Sequence, residues 1–165
     1  MSVILALYPN SRGFGYACLE LPNTKDAKQK LLDSGIINVR PVGNEKALKH
    51  IRRFVDYFKP KIVILRDYHN KTMRGKRIRE LLGSICRIAA EKDLSVHGYT
   101  RQQIQHTFEQ YGAKTKYEIA HKIIEGFPEL AKHAPRVRKL WENEEYHMGV
   151  FDAVALAITH TYLNE

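Results

Sequence analysis

Residues 4–20 read "ILALYPNSRGFGYACLE". Apolar runs at 3–7 and 14–19 flank "YPNSRG", whose Pro, Asn, Ser and Gly are turn formers, so the stretch predicts a strand, a tight turn and a second strand. Folds that open this way often hold a catalytic carboxylate where the first strand ends. Tyr8 stands there instead. Whether the protein does chemistry or only binds therefore depends on what the other candidate positions hold.

Outward from this hairpin the chain alternates. A third, weaker strand is expected around 36–39. Asn44 is the expected N-cap of a helix in which Ala47, Leu48, Ile51, Val55 and Phe58 recur at helical spacing until Pro60 stops it. "KIVILR" at 61–66 is a continuous apolar run of the kind buried on both faces of a sheet. Basic "HNKTMRGKRIRE" leads into a helix carrying Ile78, Leu81, Leu82, Ile85 and Ile88, and "LSVHGY" supplies another strand. Helices are expected over 101–108 and 116–125, then a polar stretch with Pro128 and Pro135, then a closing helix from about 146 to 162. Adjacent strands, then alternating strand and helix, then helices, define an α/β class: a mixed five-stranded sheet flanked by helices. No internal repeat, low-complexity tract or linker divides the 165 residues, and one domain is expected over 1–165.

Apolar residues make up 44% and charged residues 27%, an ordinary globular composition. No apolar run approaches the roughly 18 residues that span a bilayer, and "VILAL" is too short for a signal-peptide core, so no membrane partner and a cytoplasmic location are expected. Cys18 and Cys86 belong to no C-x-x-C pair and are expected as buried thiols. Charge is more informative. Twenty-seven Lys and Arg against eighteen Asp and Glu leave a net +9, which calls for a polyanionic partner. No G-x-x-x-x-G-K-[ST] loop is present, and Ser11, Ser34, Ser84 and Ser95 lack a nucleophile-elbow context.

Three stretches, in order, resemble the RuvC-type Holliday junction resolvases. "ILALYPNSRGFGYA" is similar to the family's first hairpin. "YTRQQIQHTFEQYGAKTKYEIAHKII" resembles its stretch of Arg-Gln, Gln-Thr, a Gly and a Lys opening a helix. "FDAVALAITH" resembles its closing helix. The likeness runs over residues 3–160 and implies an RNase H-like fold and a homodimer acting on branched DNA with Mg²⁺. Such enzymes cut phosphodiesters with two cations, roughly 4 Å apart, one activating water and the other stabilising the leaving oxygen. Four carboxylates hold them: one ending the first strand, one ending the central strand and two on the last helix.

Carried over position by position, that set is depleted. The first-strand acid falls on Tyr8, whose phenol is a poor Mg²⁺ ligand near neutrality. The central-strand acid falls on Arg66, a permanent cation. The earlier closing-helix acid falls on Gly149, and only the later one survives, as Asp152. Two neighbours are candidate substitutes. Asp67 follows Arg66, but consecutive strand residues point to opposite faces, so it serves only if the strand has already ended. Glu145 lies on the Asp152 face of the helix, about 10 Å away along the axis at about 1.5 Å per residue. His147 suits softer metals. Asp152, the one charge in "VFDAVALAI", needs a partner: either a backbone group or Tyr near the helix start, or Arg66.

Basic residues persist where the carboxylates do not. Lys71, Arg74, Lys76 and Arg77 follow the central strand, Arg12 sits in the first turn, and Arg101, Lys114 and Lys116 flank the helix whose counterpart faces DNA in the family. Such a surface binds a nucleic-acid backbone without sequence readout. The expected function is a RuvC-like, nucleic-acid-binding homologue for branched or duplex DNA, without resident cofactor and without the usual Mg²⁺-dependent cleavage. Two alternatives stay open: an active endonuclease rebuilt on Asp67, Glu145 and Asp152 with Mg²⁺ or Mn²⁺, and a protein-binding scaffold.

Overall fold

A computed structural model describes residues 2–23, 28–67, 75–136 and 147–164. Strands β1 (Ser2–Asn10), β2 (Gly13–Leu21) and β3 (Lys30–Asn38) come first, then helix α1 (Asn44–Phe58), strand β4 (Ile62–Arg66), helix α2 (Lys76–Glu91) and strand β5 (Ser95–Tyr99). Helices α3 (Arg101–Glu109) and α4 (Lys116–Gly126), a 3₁₀ turn at Pro128–His133 and helix α5 (Met148–Leu163) complete the described order. The sheet is ordered β3-β2-β1-β4-β5, antiparallel across β3, β2 and β1 and parallel across β1, β4 and β5. This is the mixed five-stranded architecture expected from the alternation.

Period-two alternation assigns the two faces. Ile4, Ala6 and Tyr8 of β1, with Ile64 of β4, pack against α3, α4 and α5. Leu5, Leu7, Val63 and Leu65 pack against α1 and α2. The connection between β1 and β2 is shorter than the expected turn: Asn10 pairs with Gly13, leaving only Ser11 and Arg12 at the tip. Asn10 Oδ1 accepts from the Arg12 amide at 2.9 Å and organises that tip. Pro9 lies beyond the last residue that β1 pairs with β4, so its missing N–H breaks no rung on that side.

β3 is longer than expected. "DSG" at 33–35 reads as a turn, yet the Asp33 carboxylate accepts from Tyr16 Oη at 3.0 Å and Gly35 lies against the Tyr16 ring, both within the β2–β3 ladder. Asn44 is not the N-cap of α1; Gly43 is. The Asn44 amide instead donates to the Arg77 carbonyl at 2.9 Å, tying the start of α1 to the start of α2. Cys18 is buried as expected, which with nearby Asp33 pushes its thiol up to about 12, but Cys86 is exposed, on the outer side of α2. Among the described residues, no helix is long and apolar enough to cross a membrane.

α5 is apolar nearly all round because it is enclosed nearly all round, by β1 and β2 on one side and α3 and α4 on the other. It comes close to the sheet at two glycines, Gly15 of β2 and Gly149 of α5. A Cβ on Gly15 would run into the Gly149 backbone.

Candidate functional site

The parallel register sets the site. β1 pairs Leu7 with Leu65 of β4, so Tyr8 and Arg66 come side by side on the face that α5 covers, and Arg66 pairs onward with Tyr99 of β5. Arg66 is only 8% exposed, and its Nη1 donates to Tyr8 Oη at 2.6 Å. A buried guanidinium thus holds the phenol at the strand end where a carboxylate was expected.

Across a small cavity of about 30 Å³ lies Asp152, in the second turn of α5, with Arg101 of α3, Lys116 of α4 and apolar Ile104, Ile119, Met148 and Phe151 among the rest of the lining. Lys116 Nζ stands 3.5 Å from Asp152 Oδ2, their side chains 28% and 15% exposed. Lys116 Nζ is also 5.8 Å from the centre of the Tyr8 ring, with Arg66 Cζ at 5.6 Å, both within cation–π range. From the sequence, the partner expected for Asp152 is Arg66, a Tyr or a backbone group, and Lys116 is expected at nucleic acid. Lys116 does approach Asp152, because a capping box at Thr115 and Glu118 starts α4 beside α5. The "T-K-Y-E" spacing carried that signal.

The substitute acids fare differently. Asp67 still pairs through its amide with the Tyr99 carbonyl, and its side chain lies over Gly98, on the α1–α2 side of the sheet. It does not line the cavity. Glu145 falls outside the described residues, as do Lys71 and Arg74. His147 precedes α5 and stacks on His133, ring centres 4.2 Å apart; burial, then His147 and Lys132, holds His133 below its ordinary pKa. Gly149 turns toward Asn10 and Gly15 rather than into the cavity.

Two hard divalent cations need a set of carboxylate oxygens. At the matching positions this chain puts a phenol, a guanidinium and a glycine, and sets an ammonium beside the remaining Asp152. Among the described residues, no cluster of three His, Cys, Asp or Glu is placed to hold a metal. Among the described residues, those at the matching positions do not fit the cation pair.

Basic residues gather at this same end of the sheet. β1 ends in the turn carrying Arg12, β4 ends at Arg66, and β5 leads directly into α3 at Arg101. Lys76, in the first turn of α2, is exposed and 3.8 Å from Glu80. Lys114 is exposed just ahead of Lys116. Arg77, a candidate for nucleic acid, serves the fold: its Nη2 donates to the Asn10 carbonyl at 2.7 Å, bracing α2 against the hairpin.

No protein-family model and no curated protein matches the chain. Solved structures do match. Thermus thermophilus RuvC aligns with a TM-score of 0.71 at 18% identity, covering 98% of this chain and 95% of that one. T. thermophilus RuvC in complex with Holliday junction substrate aligns at 0.69 and 18%, covering 98% and 94%. The yeast mitochondrial Holliday junction resolvase Ydc2 aligns at 0.68 and 12%, covering 96% and 77%. The fold is therefore that of the RuvC-type resolvases, an RNase H-like mixed sheet flanked by helices.

Proposed function

We propose that this protein binds branched or duplex nucleic acid at the carboxyl ends of β1, β4 and β5, as a RuvC-like homologue without Mg²⁺-dependent cleavage. The observation that carries the reading is the convergence of Arg12, Lys76, Arg101 and Lys116 at the end of the sheet where Tyr8 and Arg66 stand at the positions the resemblance assigns to ligands. Cations on a surface bind phosphates by releasing counterions, so no base contact is required. Support for branched DNA comes from the structural neighbours, one of them described in complex with a Holliday junction substrate. A homodimer, a cytoplasmic setting and the absence of a resident cofactor belong to the same proposal. An endonuclease rebuilt on Asp67 is disfavoured by the side of the sheet on which Asp67 lies.

Fluorescence anisotropy with a labelled four-way junction and a matched duplex, titrated against salt, tests the binding. Affinity should fall steeply with salt. Arg12→Glu with Lys76→Glu should weaken binding equally for all sequences. Affinity indifferent to both would leave the scaffold alternative. The same junction incubated with Mg²⁺ or Mn²⁺ should stay intact; cleavage that disappears with Asp152→Asn would establish a nuclease instead.

A further inference from the structure

Helix α1, on the side of the sheet away from α5, has three unlike faces. Ala47, Ile51 and Val55 are buried against the sheet. The flank toward α2 is neutralised: Arg52 Nη1 lies 3.5 Å from Glu91 Oε2, and Lys92 Nζ lies 3.3 Å from Asp56 Oδ1. At roughly 3.6 residues per turn, Lys46, Lys49, Arg53 and Tyr57 share the remaining outer face, and no acid falls among them. The three cations are exposed, and among the described residues Lys49 and Arg53 enter no ion pair. Tyr57 is 80% exposed, with its ring edge-on to Phe58 at 4.9 Å.

This row joins the end of the sheet where the candidate site lies. The Val39 amide donates to the Arg12 carbonyl at 2.8 Å, Arg40 follows, and Lys46 Nζ donates to the Arg40 carbonyl at 2.7 Å. A path of exposed cations therefore runs from the β1–β2 tip, past Arg40, and down the outside of α1.

We infer that the outer face of α1 is a second nucleic-acid contact, which takes the phosphate backbone of a duplex arm leaving the site end of the sheet. The inference rests on the nucleic-acid reading and extends it to the opposite helical layer. From Lys46 to Arg53 the helix rises about 10 Å, a length over which one DNA strand places about three phosphates. Lys49 and Arg53 meet a phosphate without first breaking an ion pair; Arg52 and Lys92 do not. A protein interface is depleted of charge at its centre, whereas this face is charged along its middle and has no apolar patch, so a line of phosphates suits it better than a folded partner. Tyr57 adds a neutral hydroxyl donor at the far end. A surface that turns a corner holds two arms of a branched substrate, where a single end of the sheet holds one.

Fluorescence anisotropy with a four-way junction in EDTA, titrated against salt, compares two pairs of substitutions that remove equal charge from the α1–α2 layer. Lys49→Gln with Arg53→Gln should weaken junction binding about tenfold or more at about 0.15 M salt and reduce the salt slope by about two. Arg52→Gln with Lys92→Gln, on the neutralised flank, should change affinity by less than about twofold. Hydroxyl-radical footprinting should show protection lost along one arm with the first pair alone. Equal losses from the two pairs would show net charge acting by itself and overturn the contact. Poly-glutamate displacing the junction as well as duplex DNA does would also overturn it, making the face a dock for an acidic protein. Junction binding that ignores Lys49→Gln with Arg53→Gln but falls with Arg12→Glu and Lys76→Glu overturns the α1 contact and leaves the proposed function standing. The reverse result upholds the α1 contact and moves nucleic acid off the site end of the sheet. A protein that binds neither junction nor duplex overturns both.

Discussion

Gly15 has no side chain because α5 leaves no room for one. Its missing Cβ would occupy the position of the Gly149 backbone, so Gly15→Ala must push a central helix off the sheet. Overpacking of this kind costs about 1–3 kcal/mol, and in a chain of this length each kcal/mol lowers Tm by about 2–4 °C; thermal unfolding of the variant reads it directly. His160 gives a second prediction. Asn164 Nδ2 donates to the His160 carbonyl at 2.8 Å and to Tyr99 Oη at 3.0 Å, and Tyr99 Oη is hydrogen-bonded to His160 Nδ1 at 2.6 Å. Burial, with His97 alongside, lowers the imidazole pKa from 6.5 and favours its neutral form. Unfolded, the same ring takes up a proton more readily, so its contribution is present above pH 6.5 and lost as pH falls below it. The Tm gap between wild type and His160→Asn should narrow on acidification; a gap constant with pH would show that His160 does not titrate in this way. At this scale the sequence announced Tyr8, Arg66 and Gly149 by their places at element ends. It hid the Lys116–Asp152 contact, because 36 residues separate the two and only the packing of α4 on α5 joins them.

Elements are anchored here by their first residues. α3 and α4 each open on a capping box, Thr100 with Gln103 and Thr115 with Glu118, in which side chain and backbone satisfy one another's orphan N–H groups. α1 and α2 lack side-chain caps and are joined instead by Asn44 and Arg77, the latter reaching on to Asn10. Arg77→Ala should therefore cost about 1–2 kcal/mol of stability while scarcely altering the salt dependence of junction binding. Lys76→Ala, one residue away and largely exposed, with only a surface ion pair to Glu80, should do the reverse: Tm nearly unchanged, and a salt slope smaller by about one. Thermal unfolding and salt titration of the two variants distinguish brace from contact. Helices were legible at this scale because apolar residues recur at 3.6-residue spacing. β3 was not, since Asp33, Ser34 and Gly35 carry turn chemistry that cross-strand contacts to Tyr16 override.

Over the whole molecule, the sheet and its two helical layers persist at 18% identity and below to the aligned resolvases. Alternating core positions on β1 and β4 demand only that residues be apolar and of suitable size. A site demands particular atoms, and Tyr8, Arg66 and Gly149 stand where the resemblance placed carboxylates. The enclosure of α5 carries a further consequence, for synthesis. One face of the sheet, from Ile4 on β1 to Ile64 on β4, is fully covered only when α5, the last described helix, joins α3 and α4. A ribosome adding about 5–20 residues per second leaves that cover incomplete for several seconds at least. Nascent chains stalled before Met148 should accordingly be recognised by chaperones, resist folding to the protease-protected state and aggregate on release, whereas chains extended past Leu163 and clear of the exit tunnel should close in a single cooperative step.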